Sequence, residues 1–399
     1  MSTEQNTAET TPRPRSASWK GIVAATAAAA LAVGAGVTWV AVDRAAADGR
    51  ITAGLQTLID VGYPAALAAV TENGTTRDYA AGIGDLETGA PAETGEVRIA
   101  SNTKTFTATV VMQLVDEGKV ALDAAIEQYL PGLIHGDGVD GSQVTIRQLL
   151  QHTSGLPDYT ELAASDLKAS ATDYISPRDL LDLAFTLPAQ FEPGAEWKYT
   201  NTNYLVLGLL IERLELRPLH EVVDTRIVQP LGLERTYFPG VGERELRGDH
   251  VKGYHPDDET GELVDATVQE PSIPWAAGAM VSTPGELNEF FVALLAGKLT
   301  SAESLAEMKK TVPGETEVIA GSGYGLGLAS YPLSCGGEIW GHGGDIFGYE
   351  TRNGVAADGR AVSLAITALP GTVSEVTTME EAIAAYRVVY DVVDDAFCG

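Results

Sequence analysis

The chain has 399 residues, 45% hydrophobic and 20% charged, with 43 Gly, 19 Pro and 2 Cys. This ordinary globular composition allows a large core and excludes disordered, collagen-like and disulfide-scaffold chains. With 26 Lys and Arg against 55 Asp and Glu, the formal charge is −29. Such a surface repels phosphate backbones and anionic headgroups, so no nucleic-acid partner is expected.

Residues 1–47 read as an export segment. A polar start with Arg13, Arg15 and Lys20 leads into an uncharged run from Gly21 to Val42, then Asp43, Arg44 and Ala45-Ala46-Ala47. The run is long enough to span a bilayer, while the alanines satisfy the small-x-small pattern of signal cleavage. A cleaved signal peptide and an uncleaved anchor both fit, and this segment is the only membrane contact expected. Either way residues 48–399 would be secreted or otherwise extracytoplasmic. Two cysteines in an exported chain usually pair. Cys335 and Cys398 are therefore expected to form a disulfide that ties the C-terminus to the segment ahead of Trp340, worth about 2–4 kcal/mol by loop closure.

Past Asp48, the spacing of Ile51, Leu55, Leu58 and Ile59 predicts an amphipathic helix. Ala65 to Val70 and Tyr79 to Ile83 read as short strands about the turn Asn73-Gly74, a hairpin signal. Phe106, Val110, Val111, Leu114 and Val115 predict a helix that begins near Ser101 and ends at Gly118. From about 119 to 270 the pattern is mostly helical, with apolar faces at Leu149-Leu150, Leu180-Leu181-Leu183 and Leu205 to Leu214 broken by Gly- and Pro-bearing loops. The rest mixes a helix around Glu286 to Leu295, strands at Glu338 to Trp340, Glu350 to Ala356 and Ala361 to Leu369, and a last helix across Glu380 to Val393. Strands at both ends and helices between predict one sheet built from the two chain termini.

Three short motifs carry chemistry. Ser101-Asn102-Thr103-Lys104 puts a hydroxyl and an amine three residues apart at a helix start, on one helix face. A buried, neutral lysine there can take the serine proton, and the helix N-terminus favours a developing oxyanion. The chemistry is acyl transfer through a serine ester. A second Ser-x-x-Lys, Ser165 to Lys168, sits in a polar, Ala-rich stretch and is read as a decoy. Tyr199-Thr200-Asn201, the only Tyr-x-Asn, offers a phenol to relay a proton and an amide to orient base and substrate. His342-Gly343-Gly344, the only His-x-Gly, has glycines that would let an edge strand approach a substrate. No His-Glu-x-x-His or phosphate-cradling loop occurs, and His250 and His255 beside Asp257 and Asp258 read as a solvated loop. No metal and no cofactor is expected.

In order and spacing these motifs resemble those of the serine penicillin-recognising enzymes: class C β-lactamases, D-alanyl-D-alanine carboxypeptidases and their esterase and aminopeptidase relatives. Gln151-His152-Thr153-Ser154-Gly155-Leu156 and Ala277 to Ser282 look similar too, and the likeness runs over about residues 50–399. His in the third motif and a preceding cysteine look most like the secreted serine carboxypeptidases. The resemblance implies an α/β (α+β) fold of β-lactamase/DD-peptidase type. Its antiparallel sheet, from about 48–118 and 271–399, would be flanked by helices, with a mostly helical subdomain inserted at about 119–270.

The resemblance also implies Ser101 as nucleophile, Lys104 and Tyr199 as proton-transfer pair, Asn201 as orienting amide and His342 as the third-motif side chain on the edge strand. Gly344 and Asp345 would face substrate, with an oxyanion between the N–H groups of Ser101 and Asp345. The expected activity is that of a monomeric D-alanyl-D-alanine carboxypeptidase or β-lactamase relative acting on small molecules, peptidoglycan-derived peptides or β-lactams. The alternatives are an esterase, amidase or D-aminopeptidase, and a non-hydrolytic penicillin-binding or sensing protein. Gly343, Asp345 and Ala329 depart from relatives that hold a substrate carboxylate with hydroxyls and an arginine. Asp345 would repel a carboxylate, Arg352 could restore the positive charge, and a partly charged His342 would make anion binding pH-dependent.

Overall fold

The computed structural model describes residues 48–163, 171–257, 259–314, 318–373 and 378–399. The export segment and the decoy at Ser165 to Lys168 lie outside them. A first helix, α1 (48–61), precedes the hairpin β1 (Ala65–Glu72) and β2 (Thr75–Asp85). Asn73 and Gly74 between them have φ of 52° and 72°. Two successive left-handed residues match the right-handed twist of a hairpin, which is why Asn-Gly suits the turn.

Among the described residues one ten-stranded sheet has the order β3 (Ala90–Pro91), β2, β1, β10 (Ala361–Ile366), β9 (Tyr349–Ala356), β7 (Glu338–Gly341), β6 (Ala329–Pro332), β5 (Gly323–Tyr324), β4 (Val312–Pro313), with β8 (Gly344–Ile346) also paired to β9. Its pairings are antiparallel, and the two ends of the chain meet at its centre, where Ala66 lies opposite Ile366. The strand expected to reach Leu369 stops at Ile366.

One apolar layer covers the sheet with α1 and the C-terminal helix α5 (Met379–Cys398), through Ile51, Leu55, Leu58, Val389, Val393 and Phe397. The other holds α2 (Thr103–Asp116), α3 (Thr202–Glu215) and α4 (Pro284–Leu295). Cys335 and Cys398 are bonded and tie the end of α5 to the loop before β7. Between 119 and 270 most helices are short, such as Ile146–Gln151 and Pro177–Ala184, and a small ladder joins Tyr254–Pro256 to Leu263–Asp265. No helix among the described residues is long and apolar enough to cross a membrane.

α2 is buried nearly all round, although Thr occupies positions 103, 105, 107 and 109. Threonine is a modest helix former; Thr109 donates to the Thr105 carbonyl within the helix (2.7 Å), and the other three hydroxyls reach outward to fix neighbouring backbone. Thr105 donates to the Gly327 carbonyl (2.8 Å), Thr107 donates to that of Ala276 (2.9 Å), and Thr103 accepts from the Met280 N–H (3.0 Å). The segment 276–280 is thereby fixed beside the first turn of α2, where the site lies.

Candidate active site

Ser101 sits in a single 3-10 turn, Ala100–Asn102, that runs straight into α2. Ala100 has φ 45°, a left-handed conformation that costs a non-glycine residue roughly 1–2 kcal/mol. Asn102, completely buried, holds this turn. Its amide nitrogen donates to the Ile99 carbonyl (2.8 Å) and to Thr351 Oγ1 (2.6 Å), and its oxygen accepts from Asn353 Nδ2. Gly344 on β8 packs against the same turn. A Cβ there would lie 2.3 Å from the Ile99 oxygen, so the packing against the turn that carries Ser101 itself requires glycine.

One turn along α2, the fully buried Lys104 donates from Nζ to Ser101 Oγ (2.9 Å), Asn201 Oδ1 (2.7 Å) and the Ala277 carbonyl (2.8 Å). Nζ also lies 4.8 Å from the centre of the Tyr199 ring. As an ammonium it satisfies all three acceptors. As a neutral amine it has a lone pair within reach of the Ser101 proton. Asp158 orients Asn201 by accepting from both its backbone N–H and its Nδ2, each at 3.1 Å. The sequence reading missed Asp158, whose only signal was its place two residues past Gln151 to Leu156.

His342 does not lie on an edge strand. It falls in the break between β7 and β8, and β7 lies inside the sheet between β6 and β9. With Trp340 opposite Val355 and Gly344 opposite Thr351, His342 should pair with Asn353 through backbone. Instead the Asn353 side-chain amide bridges the gap, accepting from the His342 N–H (3.1 Å) and donating to its carbonyl (2.9 Å). Asn353 was not legible as a functional residue, although an asparagine in a buried strand is itself unusual.

The protons around His342 follow from the donors. The Thr200 N–H points at His152 Nδ1 (3.3 Å), so that nitrogen is an acceptor and His152 Nε2 carries the hydrogen. His152 Nε2 donates to the Tyr324 oxygen (3.1 Å), leaving the Tyr324 O–H to donate to His342 Nε2 (2.9 Å). His342 then donates from Nδ1 to the Gly343 carbonyl (2.6 Å). Both ring nitrogens are engaged. Burial and then the Lys104 charge push His342 down to about 3, against a smaller upward pull from Gly343. Burial and Lys104 also push His152 well down. His342 is thus neutral across the physiological range, and the expectation of a partly charged imidazole is corrected.

A depressed folded pKa means the unfolded chain binds more protons below about pH 6.5. The associated stability is present above that pH and is lost as pH falls toward about 3. Imidazole NMR resonances of His342 and His152 should therefore not titrate between pH 5 and 8, while unfolding free energy declines on acidification below pH 6.5. A resonance of either ring that titrates near 6.5 would contradict this proton order.

Arg352 on β9 is buried and committed. Its Nη2 reaches Asp345 Oδ1 and Glu350 Oε1, both at 2.8 Å, and Nη1 donates to the Thr351 carbonyl (2.8 Å). Burial alone would lower its pKa, but Asp345 and then Glu350 outweigh it and keep the guanidinium charged. Glu350 is wholly buried, which pushes its carboxyl well up. The Asp345 side chain is 42% exposed.

Two cavities meet at Ser101. The described residues lining one of ≈ 330 Å³ include Ser101, Tyr199, Asn201, Tyr324, His342 and Asp345. A second of ≈ 280 Å³ shares Ser101, Asn201 and Asp345 with it. Lys104, Gly344 and the disulfide cysteines line neither cavity. No cluster of metal-ligating side chains occurs among the described residues.

A model of the Beta-lactamase family matches residues 42–386. The chain belongs to the Beta-lactamase family. Among solved structures of the same fold, it is similar to a D-stereospecific amidohydrolase from Streptomyces sp., at 34% identity over 84% of this chain and 97% of that one, with a TM-score of 0.75. It also resembles the D-amino acid amidase of Ochrobactrum anthropi SV3 crystallised with L-phenylalanine amide, at 27% identity over 88% and 99% of the two chains, TM-score 0.74. A protein of Salmonella typhimurium strain LT2, provisionally named a D-alanyl-D-alanine carboxypeptidase, is 27% identical over 226 residues, 51% of this chain. The chain spans about half the length of the curated relatives it matches. As a Beta-lactamase family member it has the α+β fold that the resemblance implied.

Proposed function

We propose that this protein hydrolyses amides or short peptides whose acyl residue carries a free amino group, through an ester on Ser101. This is the amidase or D-aminopeptidase alternative, favoured over carboxypeptidase or β-lactamase action. The observation that carries it is the charge around the nucleophile. The only cation lining either cavity among the described residues is Arg352, already bound to Asp345 and Glu350. His342 is neutral, and Asp345 presents a carboxylate to both cavities. A substrate carboxylate finds no partner there, whereas an ammonium does. The likeness to two amide-cleaving D-specific enzymes over more than four fifths of the chain supports the same side.

In this reading Ser101 Oγ attacks the carbonyl carbon and its proton passes to Lys104. Tyr199 relays a proton to the leaving amine as the C–N bond breaks. Water then hydrolyses the ester, returning the proton to Ser101 and releasing the acid. The N–H groups of Ser101 and Asp345 would hold the oxyanion. One chain contains every part of the site, which supports action as a monomer, and the N-terminal segment supports an extracytoplasmic location.

The test compares D-phenylalanine amide, its N-acetyl derivative, an N-acylated peptide ending in D-Ala-D-Ala, and benzylpenicillin monitored by intact mass. The free amide should be cleaved with kcat/KM at least tenfold above its acetylated form, with no penicillin adduct, and Ser101→Ala should abolish turnover. A stable penicillin adduct on Ser101 together with preferred cleavage of the D-Ala-D-Ala peptide would sink the proposal in favour of the carboxypeptidase reading.

A further inference from the structure

We infer that the ≈ 280 Å³ cavity is the acyl-residue subsite and selects a bulky apolar side chain with its free ammonium group. This rests on the amide-hydrolase reading above and adds the substrate class. The walls are Tyr159, Ile273, Pro274, Ile346, Phe347 and Leu369. They are fixed from behind: Tyr159 donates its hydroxyl to the Ile273 carbonyl (2.6 Å), and Gln269 Nε2 donates to that of Phe347 (2.8 Å). An apolar cavity of about 150 Å³ suffices for benzene. The present volume therefore accommodates an aryl or branched side chain and the carbon that bears it, far more than the methyl of alanine fills.

Charge points the same way. The charged residues lining this cavity are two carboxylates, Glu270 and Asp345, and among its described residues there is no cation. Glu270 is 1% exposed and is ion-paired to Arg244 Nε at 3.3 Å, with the Gly242 N–H donating to it at 3.4 Å. With Glu270 and Asp345 the lining of this cavity is net negative, which favours an ammonium over a carboxylate. Tyr199 supplies the orientation, since it lines the ≈ 330 Å³ cavity and not this one. A phenol that protonates the leaving amine must stand on the leaving-group side of Ser101, which puts the acyl residue in the apolar cavity.

The experiment measures kcat/KM for D-phenylalanine amide, D-alanine amide and N-acetyl-D-phenylalanine amide with the wild type, Leu369→Trp and Glu270→Gln. p-Nitrophenyl acetate, whose acyl group is small and uncharged, reports separately whether Ser101 is active in each preparation. The wild type should prefer D-phenylalanine amide to D-alanine amide at least tenfold. Leu369→Trp should collapse that preference at least tenfold, and Glu270→Gln should reduce the preference for the free amide over its acetylated form about tenfold. Amide hydrolysis with no side-chain preference, or with ratios unmoved by both substitutions, overturns the subsite and leaves the amide-hydrolase reading standing. Active protein that cleaves none of the amides but accepts an N-acylated D-Ala-D-Ala peptide overturns both.

Discussion

Ser101→Ala should lower kcat for D-phenylalanine amide by about five to six orders of magnitude, and Lys104→Met should lower it at least a thousandfold, yet the double variant should be no worse than Ser101→Ala alone. Groups that act as one unit lose their joint contribution when either is removed, so their effects do not add. The 2.9 Å contact between Lys104 Nζ and Ser101 Oγ is the reason to treat them as one unit. Methionine nearly fills the space of the buried lysine, so the loss is chemical and not a cavity effect. Two acceptors, Asn201 Oδ1 and the Ala277 carbonyl, then lose their donor. That costs about 1–3 kcal/mol for each acceptor left buried, visible as a lower midpoint in urea. Additive losses in the double variant would show that Lys104 positions the serine turn without handling its proton.

The parts of this site that were legible in the sequence lie on periodic elements. Apolar spacing located α2 and α3, and with them Ser101, Lys104, Tyr199 and Asn201, because each motif sits at or just before a helix start. What the sequence hid is set by contacts between distant segments. Which ring nitrogen of His342 carries the proton depends on Tyr324 and, through it, on His152, 190 positions upstream (342 − 152), while its neutrality follows from burial and the Lys104 charge. Nothing local at His342 reports that relay. Strand β9 was legible as a strand over Glu350 to Ala356, but its burial was hidden: it is buried along both faces yet includes Glu350, Arg352 and Asn353, so polarity alone marks it as surface. Its two-residue period does put Glu350 and Arg352 on one face, which could have signalled that Arg352 already has a partner. The short strands β4 and β5 carry two residues each, too few for any period to register.

Arg352→Met should destabilise the fold by about 3–5 kcal/mol, the range for stranding one member of a buried ion pair. The stranded group is Glu350, which is fully buried and, among the described residues, has no partner other than Arg352 at ion-pair distance. In the double variant Arg352→Met/Glu350→Gln no buried charge is left behind, only the 42% exposed Asp345, so most of the loss should be recovered. Dependence on pH separates this account from simple loss of packing against Tyr386 and Tyr390, whose rings lie 5.4 and 5.1 Å from the guanidinium. Burial already raises the Glu350 carboxyl in the folded protein, and removing Arg352 takes away the main opposing pull. A carboxyl raised above its unfolded value of about 4.3 keeps its proton in the folded state after the unfolded chain has released it, so stability falls as pH rises. The penalty should therefore be smaller at pH 5 than at pH 7, by up to about 2.7 kcal/mol for one proton over two pH units. A penalty independent of pH and not relieved by Glu350→Gln would mean that Arg352 acts there as a packing group. At the site itself, the same substitution leaves Asp345 without its buried counter-ion beside Ser101. The KM for an ammonium-bearing amide should then stay level or fall, whereas a site that used Arg352 to hold a substrate carboxylate would lose affinity for it.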